Sequence, residues 1–132
     1  MNSTYKTKKG VFYNDDSLSL LQSKSFSTKY RNKFQLIFTS PPFPLVKKKN
    51  YGNFNGKHYV EWIKSYAKPL RNVLADNGSL VIEIGNTWEK GFASMSTIPM
   101  EALLDLKKEG GFSLCQEFIC NNPARLPGPA EW

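Results

Sequence analysis

One short segment constrains the fold of this chain more than any other. Residues 34–39 form an almost uninterrupted apolar run of strand length, and Ser40, Pro41 and Pro42 end it abruptly. A strand that is apolar on both faces is typical of a parallel sheet with covered faces. Because proline cannot donate a backbone hydrogen bond, we expect the carbonyls of Ser40 and Pro41 to stay free and to point in fixed directions.

The rest of the sequence alternates between strand-like and helical spacing of apolar residues. We predict strands over 11–13, 34–39, 79–84 and 112–120, and helices beginning near Leu18, over 58–74 and over 98–109. Residues 22–33 are expected to be a loop or a weak helix end, 44–56 a polar loop and 76–78 a turn. This alternation predicts a parallel α/β sheet, in which ligands bind beyond the carboxyl ends of the strands. The loops after Thr39 and Ile84, and Asp16 after the first strand, would lie there.

Composition excludes several classes of protein. The 132 residues are 40% hydrophobic and 14% aromatic, which is enough for a packed core, and no apolar run has membrane-spanning length. The N-terminus lacks the apolar region of a signal peptide. Two cysteines, Cys115 and Cys120, give neither a disulfide framework nor the spacing of a metal pair. We therefore expect a soluble, cytoplasmic protein without a metal site.

The excess positive charge lies in one part of the sequence. Residues 1–50 hold ten basic and two acidic residues, a net charge of +8, whereas residues 51–132 hold eight basic and nine acidic residues. A localised basic field favours a polyanionic partner, most often nucleic acid, although a solvated basic surface is an open alternative. Residues 1–10 are expected to be a flexible basic N-terminus. Lys47, Lys48 and Lys49 would grip phosphates, unless they are only a solvated lysine run.

A hydroxyl, two free carbonyls and an aromatic ring follow one another from Ser40 to Phe43. Rigid acceptors beside an aromatic ring suit a planar ligand with an exocyclic amine. The amine would donate to Ser40 Oγ and the Pro41 carbonyl while the ligand stacks on Phe43. Such bonds pull the lone pair of the amino nitrogen out of ring conjugation, so that it can attack an electrophilic methyl group. The alternative is a simple loop end with a surface aromatic.

Several segments, in order, resemble the amino-methylating DNA methyltransferases, in particular the β-type cytosine-N4 enzymes of restriction–modification systems. Residues 36–43 are similar to the catalytic motif of this family, and the proline-rich residues 122–132 are nearly as specific. Residues 13–21 are similar to the acidic motif before the catalytic strand, with Asp15 where glycine is usual. Weaker similarities lie at 51–53, 59–62, 76–79 and 90–91, so the resemblance covers roughly residues 11–132.

The resemblance implies a partial Rossmann-like α/β methyltransferase sheet with flanking helices. It implies transfer of a methyl group from S-adenosylmethionine to N4 of a cytosine flipped out of double-stranded DNA. Serine rather than aspartate at position 40 favours cytosine N4 over adenine N6. Asp16 would accept from the adenine amine of the cofactor. By the resemblance, catalysis falls to Ser40, Pro41, Pro42 and Phe43, and cofactor binding to Asp16, Thr39 and Ser40.

The F-x-G-x-G cofactor motif of the family has no counterpart, since no G-x-G occurs in the sequence. In β-type enzymes this motif follows the catalytic motif and a target-recognition region. We therefore expect residues 11–132 to be the catalytic part of a truncated, split or decayed methyltransferase, with a C-terminal half that could be encoded separately. Alternatives are an adenine-N6 methyltransferase fragment, a non-catalytic basic nucleic-acid-binding module and an inert, poorly folded chain.

Overall fold

Short helices and strands follow one another in nearly the predicted order. A computed structural model describes residues 5–44, 56–89 and 92–120. No helix in these ranges is long and apolar enough to cross a membrane. In chain order the elements are β1 (Tyr5–Lys6), β2 (Val11–Phe12), α1 (Ser17–Gln22), α2 (Lys24–Lys29), β3 (Phe34–Thr39), α3 (Gly56–Ser65), α4 (Ala67–Val73), β4 (Leu74–Ile82) and α5 (Ile98–Gly110).

The apolar strand before the two prolines pairs in parallel with β4, as the α/β prediction requires. Parallel neighbours need a crossover between them, and here α3 and α4 lie within that connection. The carboxyl ends of both strands therefore meet at one edge of the sheet. The paired residues are Phe34–Leu74, Leu36–Ser79, Ile37–Leu80, Phe38–Val81 and Thr39–Ile82.

An irregularity interrupts this ladder near the start of β4. Gln35 alone on β3 lies opposite the four residues 75–78 of β4. A Cβ at Gly78 would lie 2.7 Å from the backbone oxygen of Phe34, so glycine permits an approach that other residues would block. The prediction of a turn at 76–78 before a strand over 79–84 is therefore wrong in its bounds. These residues bulge within a strand that already begins at Leu74 and ends at Ile82.

The helix predicted over 58–74 is two helices, α3 and α4, which meet at Tyr66. Pro69 explains the break, because it has no N–H to donate to the carbonyl of Ser65 and its ring crowds that carbonyl. At the junction the Tyr66 N–H donates to Ile63 O at 3.0 Å, a tighter turn than the α-helix makes. The helical prediction is thus right in extent and wrong in continuity.

Helices α3, α4 and α5 pack on one another and form the core with one face of the sheet. The central cluster of buried side chains comes from all three helices, and Ile82 of β4 packs against it. Helix α5 confirms the helix predicted over 98–109, and Gly111 ends it with a left-handed φ of 68°. The buried cluster consists of Tyr59, Ile63, Ala67, Ala102 and Leu106.

The opposite face of the sheet is apolar and exposed. Leu36 is 60% exposed, Phe38 66% and Val81 37%, and the pairing of β3 with β4 places them on the same face. None of the described helices covers these side chains. We call Leu36, Phe38 and Val81 the open sheet face. A strand that is apolar on both sides is thus covered on one side only within the described residues.

The N-terminal part adds a small hairpin and two short helices. Val11–Phe12 confirms the first predicted strand, and it pairs antiparallel with β1, a strand that the sequence did not predict. Helix α1 is confirmed near Leu18. Helix α2 lies in the stretch expected to be a loop or a weak helix end; its N-cap Ser23 accepts from the N–H of Phe26, which is buried.

The predicted strand over 112–120 is wrong, because the segment forms neither a strand nor a helix. The apolar side chains of Leu114, Phe118 and Ile119 stand in solvent, and Ile119 is 90% exposed. Strand-like composition is not sufficient, since an extended segment needs a neighbouring strand to satisfy its backbone groups. Within the described part of the chain no strand pairs with residues 112–120.

Candidate active site

The site is built where β3 leaves the sheet. The last described backbone bond at this point runs from the N–H of Glu83 to Thr39 O at 3.0 Å. Beyond it, two prolines remove the donors that would continue the ladder. Among the described residues no hydrogen bond is made to the carbonyls of Ser40 and Pro41 or by Ser40 Oγ. The loop thus presents acceptors that are available to a ligand.

Packing fixes this loop at its far end. Ser40 is exposed, whereas Pro44 is among the fully buried side chains. Phe43 lies between them and is half-buried. The short segment therefore runs from an exposed hydroxyl to a buried anchor, and proline rings restrict its backbone in between.

The ring of Phe43 lies against the backbone of Gly85, just beyond the end of β4. A Cβ built on Gly85 would fall 2.6 Å from Phe43 Cδ2 and 2.7 Å from Phe43 Cε2. The loop after Thr39 and the turn after Ile84, predicted to share the ligand-binding edge, are therefore in contact. The glycine after the strand was visible in the sequence, but the residue that it faces was not.

A cavity of about 460 Å³ opens beside the loop and reaches toward α1. Thr39, Ser40, Pro41 and Pro42 line one side of it, and its other walls are mostly apolar. Two polar side chains that line the cavity form a hydrogen bond with each other. Their oxygens, Ser17 Oγ and Tyr66 Oη, are 3.1 Å apart. The volume is in the range of small-molecule sites.

Asp16 stands at the N-terminus of α1, the helix that contributes Ser17 to the cavity wall. Its Oδ1 accepts from the N–H of Ser19 at 2.8 Å and so caps the helix. This hydrogen bond is the main reason that the pKa of the Asp16 carboxyl is lowered below its ordinary value. The carboxylate is exposed and ionised, and Asp16 itself does not line the cavity.

Some of the predicted site residues lie outside the part of the chain that the structure describes. Lys47, Lys48 and Lys49 lie outside the described residues, as do the similar segments at 51–53, 90–91 and 122–132. Among the described residues, no group of three or more His, Cys, Asp or Glu side chains could hold a metal ion. The site that can be described therefore consists of the β3 loop, Gly85, the cavity and the start of α1.

Comparison with known proteins gives consistent matches. The profile of a family described as DNA methylase, of N6 and N4 type, matches residues 34–132. The type II methyltransferase M.PvuII of Proteus hauseri is 38% identical over 128 residues, which are 97% of this chain and 37% of that protein. The solved PvuII DNA methyltransferase (cytosine-N4-specific) superposes with a TM-score of 0.77 at 38% identity, over 98% of this chain and 44% of that one. The chain thus spans less than half the length of the relatives it matches.

Proposed function

This chain belongs to the DNA methylase family, and on that basis we propose that it takes part in methylating N4 of cytosine in double-stranded DNA. The observation that supports this most directly is the loop after β3. It holds a hydroxyl and two carbonyls that make no hydrogen bond within the described residues, together with an aromatic ring, at the carboxyl edge of a parallel sheet. The relative named as cytosine-N4-specific supports cytosine over adenine as the target.

The proposed chemistry depends on acceptors rather than on a base. Ser40 Oγ and the Pro41 carbonyl accept the two N–H bonds of the cytosine amine, and Phe43 stacks on the flipped base. With both N–H groups held, the nitrogen lone pair turns away from the ring and toward the methyl donor. A bound sulfonium donor would supply the methyl carbon for the new N–C bond and would leave as the neutral thioether, and the methylated amine would release its surplus proton to water. Pro42 keeps the two acceptors in a fixed relation.

S-adenosylmethionine, the proposed cofactor, supplies the electrophilic methyl group when bound. The described residues fit part of such a molecule. Ser40 and Thr39 meet the cavity, and the exposed carboxylate of Asp16 has a second oxygen suited to an adenine amine. The chain has no G-x-G to surround the rest. We propose that Asp16, Thr39 and Ser40 form one side of the cofactor site.

DNA is the proposed partner, and the cytoplasm the proposed place of action. The net charge of +8 in residues 1–50 supports this, since it would attract the phosphate backbone near the catalytic loop. Lys47, Lys48 and Lys49 are proposed to contact phosphates beside the flipped base. By the type II name of the relative, the proposed biological setting is restriction–modification.

We further propose that residues 11–132 are the catalytic part of a larger methylating unit. The relatives are more than twice as long as the matched region, and the open sheet face offers a surface for further elements of the fold. Those elements, in the same polypeptide or in a separate subunit, would supply the glycine-rich cofactor motif and the target-recognition region.

Reconstitution tests the function. The 132-residue chain is mixed with a polypeptide comprising the part of PvuII methyltransferase that this chain does not match, together with unmethylated duplex DNA and labelled S-adenosylmethionine. Mass spectrometry of the nucleosides should show N4-methylcytosine, and Ser40→Ala should reduce it about 100-fold or more. N6-methyladenine as the product would overturn the cytosine assignment.

The competing function, a basic nucleic-acid-binding module without catalysis, gives a different pattern. If the chain were such a module, the wild type and the Ser40→Ala variant would bind DNA equally well. Neither would yield a methylated base in any mixture. Isothermal titration of S-adenosylmethionine into the chain with DNA, with and without the added polypeptide, separates the two. Binding in neither case would contradict the proposed function.

A further inference from the structure

The backbone of Gly85, just beyond the end of β4, lies against the ring proposed to stack on the base. One side of the ring is against it, with Phe43 Cδ2, Cε2 and Cγ at 2.6, 2.7 and 3.2 Å from the place of a Cβ. Ordinary carbon–carbon contacts are about 3.5–4.0 Å. Even the smallest added side chain would thus force the ring to move by about 1 Å.

The backbone at Gly85 does not itself require glycine. Positive φ angles occur at Gly56 and Gly111 among the described glycines, and Gly85 is not one of them. Its conformation is open to any residue. What excludes a side chain is therefore the Phe43 ring and not the geometry of the chain. Termination of β4 does not explain the glycine either, because the strand ends three residues earlier, at Ile82.

We propose that Gly85 is a positioning residue that sets where the Phe43 ring stands relative to the amine acceptors Ser40 and Pro41. The proposal rests on the proposed function. The ring and the acceptors belong to one short loop; β3 ends at Thr39, four residues before the ring, and the buried Pro44 holds the loop backbone, so the ring itself takes its support from another element. The bare backbone after β4 supplies that support. A displacement of about 1 Å in a catalytic constellation is enough to reduce a rate about 100-fold.

The contact itself can be tested without any activity. In the full chain, ring-current shifts on the two α-protons of Gly85 should be visible by NMR, and Phe43→Leu should remove them. Unshifted α-protons in the wild-type chain would overturn the proposal at its geometric basis, whatever the chain does with DNA.

The positioning role is tested with a duplex that carries pyrrolo-cytosine opposite an abasic site, a fluorescent base that is quenched on stacking. The wild-type chain should quench it, and Gly85→Ala should lose most of the quenching while its affinity for the same duplex changes less than about twofold. Gly78→Ala is the matched control. It too adds a crowded methyl, 2.7 Å from Phe34 O, but inside β4 and away from the loop.

A second substitution distinguishes positioning of the ring by Gly85 from a purely structural role. Adding Phe43→Leu to Gly85→Ala relieves the crowding and should recover thermal stability without recovering the quenching. Equal quenching by Gly85→Ala and the wild type would overturn the positioning role and leave the proposed function standing. Absence of quenching by the wild type itself would instead count against base stacking by Phe43 and hence against the proposed function.

Discussion

Asp16 Oδ1 accepts a hydrogen bond of 2.8 Å from the backbone N–H of Ser19, and this bond fixes the start of α1. The same carboxylate is proposed to meet the adenine amine of the cofactor. A carboxylate has two oxygens, so one can cap the helix while the other accepts from a ligand. Asp16 would thereby tie the orientation of α1 to occupation of the site.

Asparagine at position 16 should separate the two roles. Asparagine caps helices about as well as aspartate, but its amide nitrogen donates and would oppose an amine. We expect Asp16→Asn to unfold near the wild-type temperature and to bind S-adenosylmethionine more weakly in the reconstituted mixture. Asp16→Ala should lose both thermal stability and cofactor affinity. Thermal unfolding and titration calorimetry measure the two effects. Unchanged cofactor affinity in Asp16→Asn would remove Asp16 from the cofactor site.

The cap also predicts a dependence on pH. Because the pKa of Asp16 is lowered in the folded chain, its ionised form is favoured by folding. Its contribution to stability is therefore full above the ordinary value of 3.8 and is lost as the pH falls below it toward the folded value. Asp16→Asn should lack this acid-side loss, which thermal unfolding between about pH 5 and pH 2 would reveal as a difference from the wild type.

Tyr59 gives a prediction about the core. Its side chain is fully buried, and its hydroxyl has no hydrogen-bond partner among the described residues. An unsatisfied buried hydroxyl costs stability, so Tyr59→Phe should raise the free energy of unfolding by about 1 kcal/mol. Tyr66→Phe is the matched control, because the Tyr66 hydroxyl is within 3.1 Å of Ser17 Oγ and its removal should destabilise. Denaturant unfolding at neutral pH measures both.

Alkaline pH gives a second measurement for Tyr59. Burial disfavours the charged phenolate and raises the pKa of Tyr59 from 10.0 to about 12. Since the neutral form is favoured by folding, this contribution to stability is full below pH 10 and is lost as the pH rises toward 12. The advantage of Tyr59→Phe over the wild type should therefore grow above about pH 10. A destabilised Tyr59→Phe variant would mean that the hydroxyl has a partner after all.

Local signals in the sequence predict those elements whose stability is local. The apolar run of β3, the cap at Asp16 and the final glycine of α5 are sufficient to place three elements near their observed bounds. The parallel α/β class and the methyltransferase family, predicted from alternation and from the loop after Thr39, are confirmed by the pairing of β3 with β4 and by the comparisons.

Predictions fail where a distant residue decides the structure. Residues 112–120 have the composition of a strand but no described neighbour to pair with. Strand β4 begins at Leu74 because Leu74 pairs with Phe34, and the sequence around Leu74 does not indicate this pairing. The contact of Gly85 with Phe43 joins two loops 42 positions apart, which no local pattern reports. The roles assigned to the predicted site residues stay predictions; these residues are Asp16, Thr39, Ser40, Pro41, Pro42, Phe43, Lys47, Lys48 and Lys49.

A substitution on the open sheet face should affect assembly more than it affects the stability of the chain. Phe38 is 66% exposed, so Phe38→Ser should change the free energy of unfolding of the chain by less than about 0.5 kcal/mol while lowering its tendency to self-associate. In the reconstituted mixture the same change should weaken assembly and methylation together. Ile82→Ser, on the covered face, should instead lower the free energy of unfolding of the isolated chain. Sedimentation and denaturant unfolding distinguish these outcomes. Full assembly with Phe38→Ser would show that this face is not the surface for the remaining fold.

The phosphate contacts proposed for Lys47, Lys48 and Lys49 lead to a prediction about how DNA binding depends on salt. Each phosphate that a lysine neutralises contributes about 0.9 to the slope of log affinity against log salt concentration. Replacing Lys47, Lys48 and Lys49 together with glutamine should therefore make the slope shallower by about 2 to 3. Phe43→Ala is the matched control, because loss of a stacking ring should abolish methylation in the reconstituted mixture without changing the slope. Fluorescence anisotropy with one duplex at several salt concentrations measures both, and an unchanged slope in the triple variant would mean that these lysines are a solvated run with no phosphate contact.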